Sequence, residues 1–195
     1  MTNLISEQKK DDLRIIAQTK KWLSSVIIAH NYCPFAKREF DKSSIRYQVI
    51  YETEFNHLLK SVIQECIWLD QNEETETTLI IFPASLNDFD LFLDCLALAE
   101  NLLVAQGYEG IYQIASFHPD YCFQGAEEGD PANYTNRSPY PMFHLIRESS
   151  VQVAIEKHPD PESIPERNIE HAREQGLDKM KAALEKCIHI ESLND

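Results

Sequence analysis

The residues best suited to chemistry lie in one stretch of the chain, between Ser116 and Glu148, which is mostly irregular in its pattern. The candidate site residues in this stretch are His118, Asp120, Asn133, Asn136, Arg137, Ser138, His144, Arg147 and Glu148. Histidine serves as an acid, a base or a metal ligand near neutral pH, and arginine offers a planar fork of donors that fits phosphate and carboxylate. The stretch therefore predicts a site for a small anionic molecule.

The long connection after His118 reads as an ordered loop. Glycine and proline punctuate it as far as Pro141. Connections of more than about 12–15 residues without regular structure are uncommon, and they are usually functional or disordered. Disordered segments contain few aromatic residues, whereas this stretch contains Tyr121, Phe123, Tyr134, Tyr140 and Phe143.

A change of period predicts a helix from about Pro141 to Lys157, with Ser138 or Tyr140 as its cap. The first backbone N–H groups of this helix would lie beside Arg137 and would favour an anion. We expect Arg137 to hold the anion; the alternative is that its guanidinium ties down carbonyls of the loop. The candidate ligand-binding residues are Asn133, Asn136, Arg137, Ser138, Arg147 and Lys37.

His118 is the candidate acid or base, with His144 or Glu148 in support. The alternative for His118 is a histidine that is hydrogen-bonded to fold the loop. His144, Arg147 and Glu148 would share one face of the predicted helix. They would either line the pocket or form a solvated face with a local salt bridge.

Cys33 is a candidate nucleophile, which would need a nearby base such as His118. The alternative is a buried thiol that packs as a small hydrophobic residue. A divalent metal would find candidate ligands in His118, Asp120 and His144. No metal site is favoured, because no His-x-x-x-His or His-x-His spacing is present, and the cofactor stays unknown.

The elements that must position these residues alternate between helices and strands. Strands are predicted at about 45–52, 78–82 and 111–117, and helices at about 11–30, 54–70, 89–106, 141–157 and 166–188. This order predicts an α/β fold with a small parallel or mixed sheet of about three strands covered by helices. Ligands of such sheets bind beyond the carboxyl ends of the strands, where Ser85 and His118 would lie.

Composition bounds the class of protein. The 195 residues predict a single domain, with a core at about 11–176 and a polar helical tail at 177–195. A net charge of −14 argues against broad binding of nucleic acid or anionic membranes. No apolar segment suits a membrane span or a signal peptide, so we expect a cytoplasmic protein with its five cysteines reduced.

Three stretches carry a resemblance to a known family: NYCPFAK at 31–37, ASFHPDYCFQG at 115–125 and NYTNRSPYPMFHLIRESS at 133–150. Together they resemble domain-of-unknown-function family 1415, which is mainly bacterial, from about Thr19 to Gly176. The resemblance implies that the three stretches belong together. It implies no particular chemistry.

These observations predict a small cytoplasmic enzyme that acts on a phosphate- or carboxylate-bearing molecule, in a pocket built from residues 116–148. The reaction class stays open between hydrolysis, group transfer and isomerisation. One alternative is a non-catalytic module that uses the same pocket to sense a metabolite or to bind a protein. A second alternative is a metal-dependent hydrolase.

Overall fold

The computed structural model describes residues 2–189, with side chains from residue 7 onward. The helices of this part are α1 (Thr2–Trp22), a π-helix (Leu23–Ile28), α2 (Ala36–Asp41), α3 (Phe55–Gln71), α4 (Phe89–Ala105), a 3-10 helix (Pro131–Thr135), α5 (Glu148–Lys157), α6 (Ile164–Gln175) and α7 (Leu177–Ile188). The strands are β1 (Ile45–Val49), β2 (Thr77–Ile81), β3 (Tyr112–Phe117) and β4 (Met142–Arg147). The expected mixture of helices and strands is confirmed.

One mixed sheet holds the strands in the order β1-β2-β4-β3. β1 pairs with β2 in parallel, with Ile45 opposite Thr77. β4 runs antiparallel to both of its neighbours, so that Phe143 lies opposite Ile80 on one side and Ser116 on the other. It follows that β1, β2 and β3 point in the same direction and that their carboxyl ends share one edge of the sheet.

The helix expected from Pro141 to Lys157 is wrong in its first half, because β4 occupies 142–147 and α5 begins only at Glu148. β4 lies between two other strands, and both of its faces are buried. Met142 packs into one apolar cluster and Phe143 into another on the opposite face. A strand buried on both faces reads as a continuous apolar run without alternation. The sheet therefore has four strands rather than about three.

α3 and α4 cover one face of the sheet. Their buried residues form an apolar cluster with the strands that contains Leu58, Val62, Cys66, Leu69, Phe92, Cys95, Ala99, Leu103, Ile80, Phe143 and Leu145. α4 follows the turn after β2 and is capped by Asp88, whose carboxylate accepts from the Leu91 N–H at 2.9 Å. This layer of helices fixes the position of the turn after β2 and of the loop after β3, both at the carboxyl edge of the sheet.

α1, the π-helix, α6 and α7 contribute the apolar cluster on the other face. Its buried members are Ile15, Trp22, Leu23, Val26, Ile27, Tyr32, Leu79, Ile81, Tyr134, Met142, Ala172, Met180, Leu184 and Cys187. The boundary of the core predicted at 176 therefore lies too early, since α7 contributes Met180, which is 1% exposed. The predicted tail reads as polar because only one stripe of α7 faces inward. Its last part, 190–195, lies outside the described residues.

Candidate functional site

The loop at the carboxyl edge of the sheet is anchored where β3 ends and β4 begins. Because these strands are antiparallel, the chain beyond β3 continues to pair with the chain before β4. The His118 N–H donates to the carbonyl of Asn136, and the Ser138 N–H donates to the carbonyl of His118, both at 3.3 Å. Folding thus places His118 next to the backbone of Arg137 and its neighbours.

The His118 imidazole is completely buried and has both nitrogens occupied. Nδ1 accepts from the Asp120 N–H at 3.0 Å, so the proton lies on Nε2, which donates to the carbonyl of Leu86 at 2.9 Å. Burial lowers the pKa of His118, opposed in part by the Leu86 bond and the nearby carboxylates of Asp120 and Asp88. The geometry fits the alternative reading, in which this histidine folds the loop.

The Arg137 side chain also binds the loop itself. Nε donates to the Tyr121 carbonyl at 3.0 Å and Nη2 to the Glu128 carbonyl at 3.1 Å. The guanidinium lies 4.8 Å from the centroid of the Tyr134 ring. In the described part of the chain, no carboxylate lies within ion-pair distance of Arg137. The guanidinium is thus fixed in place with its charge uncompensated by a salt bridge.

The other predicted ligand-binding residues of the loop make internal hydrogen bonds. Asn133 is buried; its Oδ1 accepts from the Phe123 N–H at 3.1 Å, and its Nδ2 donates to the Glu127 carbonyl at 2.9 Å. Asn136 Nδ2 donates to the Ser116 carbonyl at 3.3 Å, and Ser138 Oγ to the Tyr140 carbonyl at 2.6 Å. These polar side chains hold the loop in one conformation.

The turn that follows β2 contributes two further features to the same edge. The Ser85 hydroxyl oxygen is buried and has no hydrogen-bond partner among the described residues. Leu86 has φ 59°, which is uncommon for a residue other than glycine. This backbone conformation orients the Leu86 carbonyl toward His118, from which it accepts a hydrogen bond.

Arg147 and Glu148 lie at the opposite edge of the sheet from His118. Arg147 ends β4 beside Tyr112, the first residue of β3, and donates to the Tyr112 hydroxyl at 3.0 Å and to the Leu69 carbonyl at 2.6 Å. The Glu148 N–H donates to the Ile111 carbonyl at 3.0 Å, where α5 begins. Because residues 142–147 are a strand and not a helix, neither side chain joins Arg137.

His144 occupies the middle of β4 on the face opposite Phe143. It lies between Leu79 and Ala115 on the neighbouring strands, and its ring centroid is 6.2 Å from that of Phe117. Burial lowers the pKa of His144 to about 4, and its Nε2 is buried with no hydrogen-bond partner in the part of the chain that the structure describes. His118 instead packs against Phe92 of α4 on the other face, so the structure does not bring these two histidines together.

Cys33 lies in the turn between the π-helix and α2. It follows one helix, as expected, but it also precedes another, because α2 begins at Ala36. Backbone hydrogen bonds from Phe35 and Ala36 lower the pKa of the thiol, but burial is the larger effect and raises it. Lys37 is exposed and donates to the Asp41 carboxylate at 2.6 Å.

Folding creates a histidine pair that the sequence analysis missed. His30 Nδ1 and His171 Nε2 are 3.0 Å apart, and the ring centroids are separated by 5.3 Å. This centroid distance fits nitrogens that point at one another in line, as in a hydrogen bond. Two rings sharing a metal at about 2.0–2.1 Å would meet it at an angle, with closer centroids. The rings therefore share a proton rather than point at a common ion.

The surroundings of the histidine pair are cationic. Burial, followed by the charges of His171 and Lys179, lowers the pKa of His30. Arg167 Nη2 donates to the Asn31 carbonyl at 2.8 Å, and Asn31 has φ 55°. In the residues that the structure describes, neither Arg167 nor Lys179 has a carboxylate within ion-pair distance. The turn and the α6–α7 hairpin thus gather four basic side chains in an acidic protein.

No local pattern identifies this pair, because His30 and His171 are 141 residues apart. The signals available were a histidine at the end of the first helix and its position just before the NYCPFAK stretch. The π-helix that precedes it is a second, structural signal, since π-type turns occur frequently at functional sites.

The fold and these contacts define a mixed α/β protein with a hydrogen-bonded loop at one sheet edge and a histidine pair between its N-terminal and C-terminal helices. The chain belongs to the family described as Protein of unknown function (DUF1415), whose model matches residues 14–182. The resemblance carried by the three stretches is confirmed, and the match includes His30, His171 and Lys179. No curated protein and no solved structure matches the chain.

Two structural features are absent from the described residues. No helix among them combines the length and the apolar character needed to cross a membrane. In the same part of the chain, no three or more histidine, cysteine, aspartate and glutamate side chains are grouped so that they could hold a metal ion.

Proposed function

We propose that the protein is a small enzyme that acts on an anionic molecule where the turn at 30–37 meets α6 and α7. The observation that carries the proposal is the in-line hydrogen bond of 3.0 Å between His30 and His171, both half-buried. They lie beside Arg167 and Lys179, which form no salt bridge within the described residues. The expected substrate class, a phosphate- or carboxylate-bearing molecule, is retained. The reacting position moves from the loop at 116–148 to the histidine pair.

The histidine pair is suited to acid–base chemistry. Its hydrogen bond leaves His30 Nε2 and His171 Nδ1 as outer nitrogens, and neither has a hydrogen-bond partner within the described residues. Because burial and nearby charges lower the pKa of His30, its imidazole holds a proton weakly and can exchange one with a bound molecule. The shared proton allows either outer nitrogen to act, since the inner bond can rearrange.

Two further side chains supply charge for the anion. Arg167 donates to neutral acceptors, the Asn31 carbonyl and Asn168 Oδ1, and Lys179 donates to Gln175. The chain contains 32 acidic and 18 basic residues, so cations without salt bridges are not forced by composition. A guanidinium and an ammonium beside an imidazole pair match phosphate and carboxylate oxygens.

A non-catalytic protein that binds the same kind of anion is the second candidate function. It is favoured by the occupied nitrogens of His118, which leave the loop at the carboxyl edge without a free acid or base. Arg137 would be the anion ligand there. The two candidates differ in the residues that respond to a ligand, which makes them separable by experiment.

The test is an NMR titration of the full chain with inorganic phosphate and with succinate, following the histidine ring resonances. We expect millimolar additions to shift His30 and His171. Arg167→Gln and Lys179→Gln should weaken the response, whereas Arg38→Gln, a control on exposed α2, should leave it unchanged. Shifts confined to the surroundings of Arg137 would favour the second candidate, and absence of any shift would reject both.

Catalysis needs a separate readout. Phosphate- and carboxylate-bearing compounds that bind should be incubated with the protein and followed by NMR for conversion. His30→Gln and His171→Gln should stop conversion while changing affinity by less than about tenfold, because the cations remain. A compound that binds at the histidine pair and is converted equally by both variants would refute the acid–base role.

A further inference from the structure

We propose that the histidine pair takes up one proton for each anion that it binds. This inference rests on the proposed function, since it concerns the same anion at the same place. It concerns the coupling of binding to protonation, which the proposed chemistry alone does not require.

Charge on His30 is disfavoured by the groups that face its ring. His30 is approached by His171 from α6 and by Lys179 from α7, and its ring stacks on Tyr32 at a centroid distance of 5.4 Å. Arg167 of α6 lies one residue further along the turn, where it donates to the Asn31 carbonyl. The carboxylates nearest to these groups in sequence are all exposed to solvent, and within the described residues none forms an ion pair with them: Glu166, Glu170, Glu174 and Asp178. A proton on the pair therefore meets like charges and incomplete solvation.

An anion reverses this balance. It neutralises the charges of Arg167 and Lys179 and adds a favourable partner for an imidazolium, so a proton from solvent becomes stable on the pair. The first proton preserves the 3.0 Å bond, because an imidazolium on one side donates to a neutral imidazole on the other. A second proton would make both inner nitrogens donors and break the bond. The geometry thus limits the uptake to one.

The consequence is reciprocal. Because the anion stabilises the proton, the proton increases the affinity for the anion by the same factor, so this affinity rises as the pH falls toward the pKa that His30 has without a bound anion. A site built from arginine and lysine alone would show no such dependence near neutral pH, because both stay protonated.

The test uses sulfate, a divalent anion that carries no titrating proton near neutral pH. Calorimetric titrations of the full chain between about pH 6 and 8, in two buffers of different protonation enthalpy, give the number of protons taken up per sulfate. We expect uptake with a maximum approaching one. His30→Gln should still bind sulfate through Arg167 and Lys179 but without uptake. His57→Gln, at an exposed position on α3, should retain the full uptake.

The outcomes separate the two proposals. Sulfate that binds without proton uptake at every pH overturns this inference and leaves the proposed function standing. Uptake that persists in the His30→Gln variant, with its fold verified by circular dichroism, assigns the proton elsewhere and overturns it as well. Failure of sulfate to bind, together with unshifted histidine resonances, rejects the proposed function and this inference with it.

Discussion

Replacing Arg137 with alanine decides whether this residue holds the loop or binds an anion. The guanidinium donates to two carbonyls at 3.0 and 3.1 Å and lies over the Tyr134 ring. A hydrogen bond from a charged donor contributes about 1.5–3 kcal/mol, and an exposed cation–π contact about 0.5–1 kcal/mol. Arg137 is half-buried, so water replaces part of what is lost. We therefore expect Arg137→Ala to lower the free energy of unfolding by about 2–3 kcal/mol.

The assay is urea unfolding of the full chain, with two comparison variants. Arg137→Lys keeps the charge but loses the planar fork, so it should recover about half of the lost stability. Arg38→Ala removes an exposed arginine whose contact is a surface ion pair with Glu39, and it should change stability by less than about 0.5 kcal/mol. Amide exchange should show the largest effect of Arg137→Ala in the loop around Tyr121.

One result would refute the reasoning. If Arg137→Ala unfolds at the same urea concentration as the parent protein but no longer responds to phosphate, the side chain binds an anion and does not hold the loop. The site would then return to the carboxyl edge of the sheet, and the hydrogen bonds to the Tyr121 and Glu128 carbonyls would contribute little to stability.

Three further predictions concern stability. The folded state disfavours protonated His144, whose pKa of about 4 lies below the unfolded value of 6.5. The stability that neutral His144 contributes is therefore complete above about pH 6.5 and is lost as the pH falls toward 4. Urea unfolding midpoints at several pH values measure this loss. Gly176 has φ 81° and ψ 155° between α6 and α7, a region that other residues avoid, so Gly176→Ala should cost about 1–3 kcal/mol in unfolding free energy. Met180→Ala should cost about 2–5 kcal/mol in the same assay, because Met180 is fully buried in the core.

Matched controls sharpen these tests. His144→Phe should flatten the pH dependence of the midpoint, whereas His57→Phe should not, and equal slopes would contradict the origin assigned to it. A Cβ added at Gly176 or at Gly107 would meet no atom within 4 Å, so Gly107→Ala, which has the same φ of 81°, gives a second measure of backbone strain without crowding. A Met180→Ala variant as stable as the parent would mean that α7 is not part of the folded core.

The first three strands were predictable because their surroundings leave a pattern. In β1, Ile45, Tyr47 and Val49 alternate and pack toward the same apolar cluster. β2 is buried throughout and appears as the run TTLII, bounded by an acidic loop and a proline. In both strands, the flanking residues mark where the strand begins and ends.

β4 was predicted wrongly as a helix because the spacing of its apolar residues is ambiguous. Met142, Phe143 and Leu145 are all buried, and their order fits a helix face as well as a strand buried on both sides. Strand pairing with β2 and β3 decides between them, and pairing depends on residues distant in sequence. The predicted anion site at a helix start failed for the same reason.

The sequence likewise predicted only part of the candidate site. The composition of the loop correctly indicated polar interactions, but not whether Arg137 would meet a ligand or the carbonyls of its own loop. That choice depends on how residues 121–128 turn back on Arg137, which no local spacing specifies. The histidine pair is harder still, since it arises only when α6 packs beside the turn after the π-helix.

The π-helix at 23–28 sets the direction in which the side chains at the end of this helix point, relative to those of α1. An α-helix advances about 100° per residue, so deleting one residue from the wide turn and letting it rewind would swing the later part through roughly that angle relative to α1. Trp22 would keep the hydrogen bond from its indole to the Arg137 carbonyl, while His30 would face away from His171. The wide turn thus determines whether the end of this helix can contact α6.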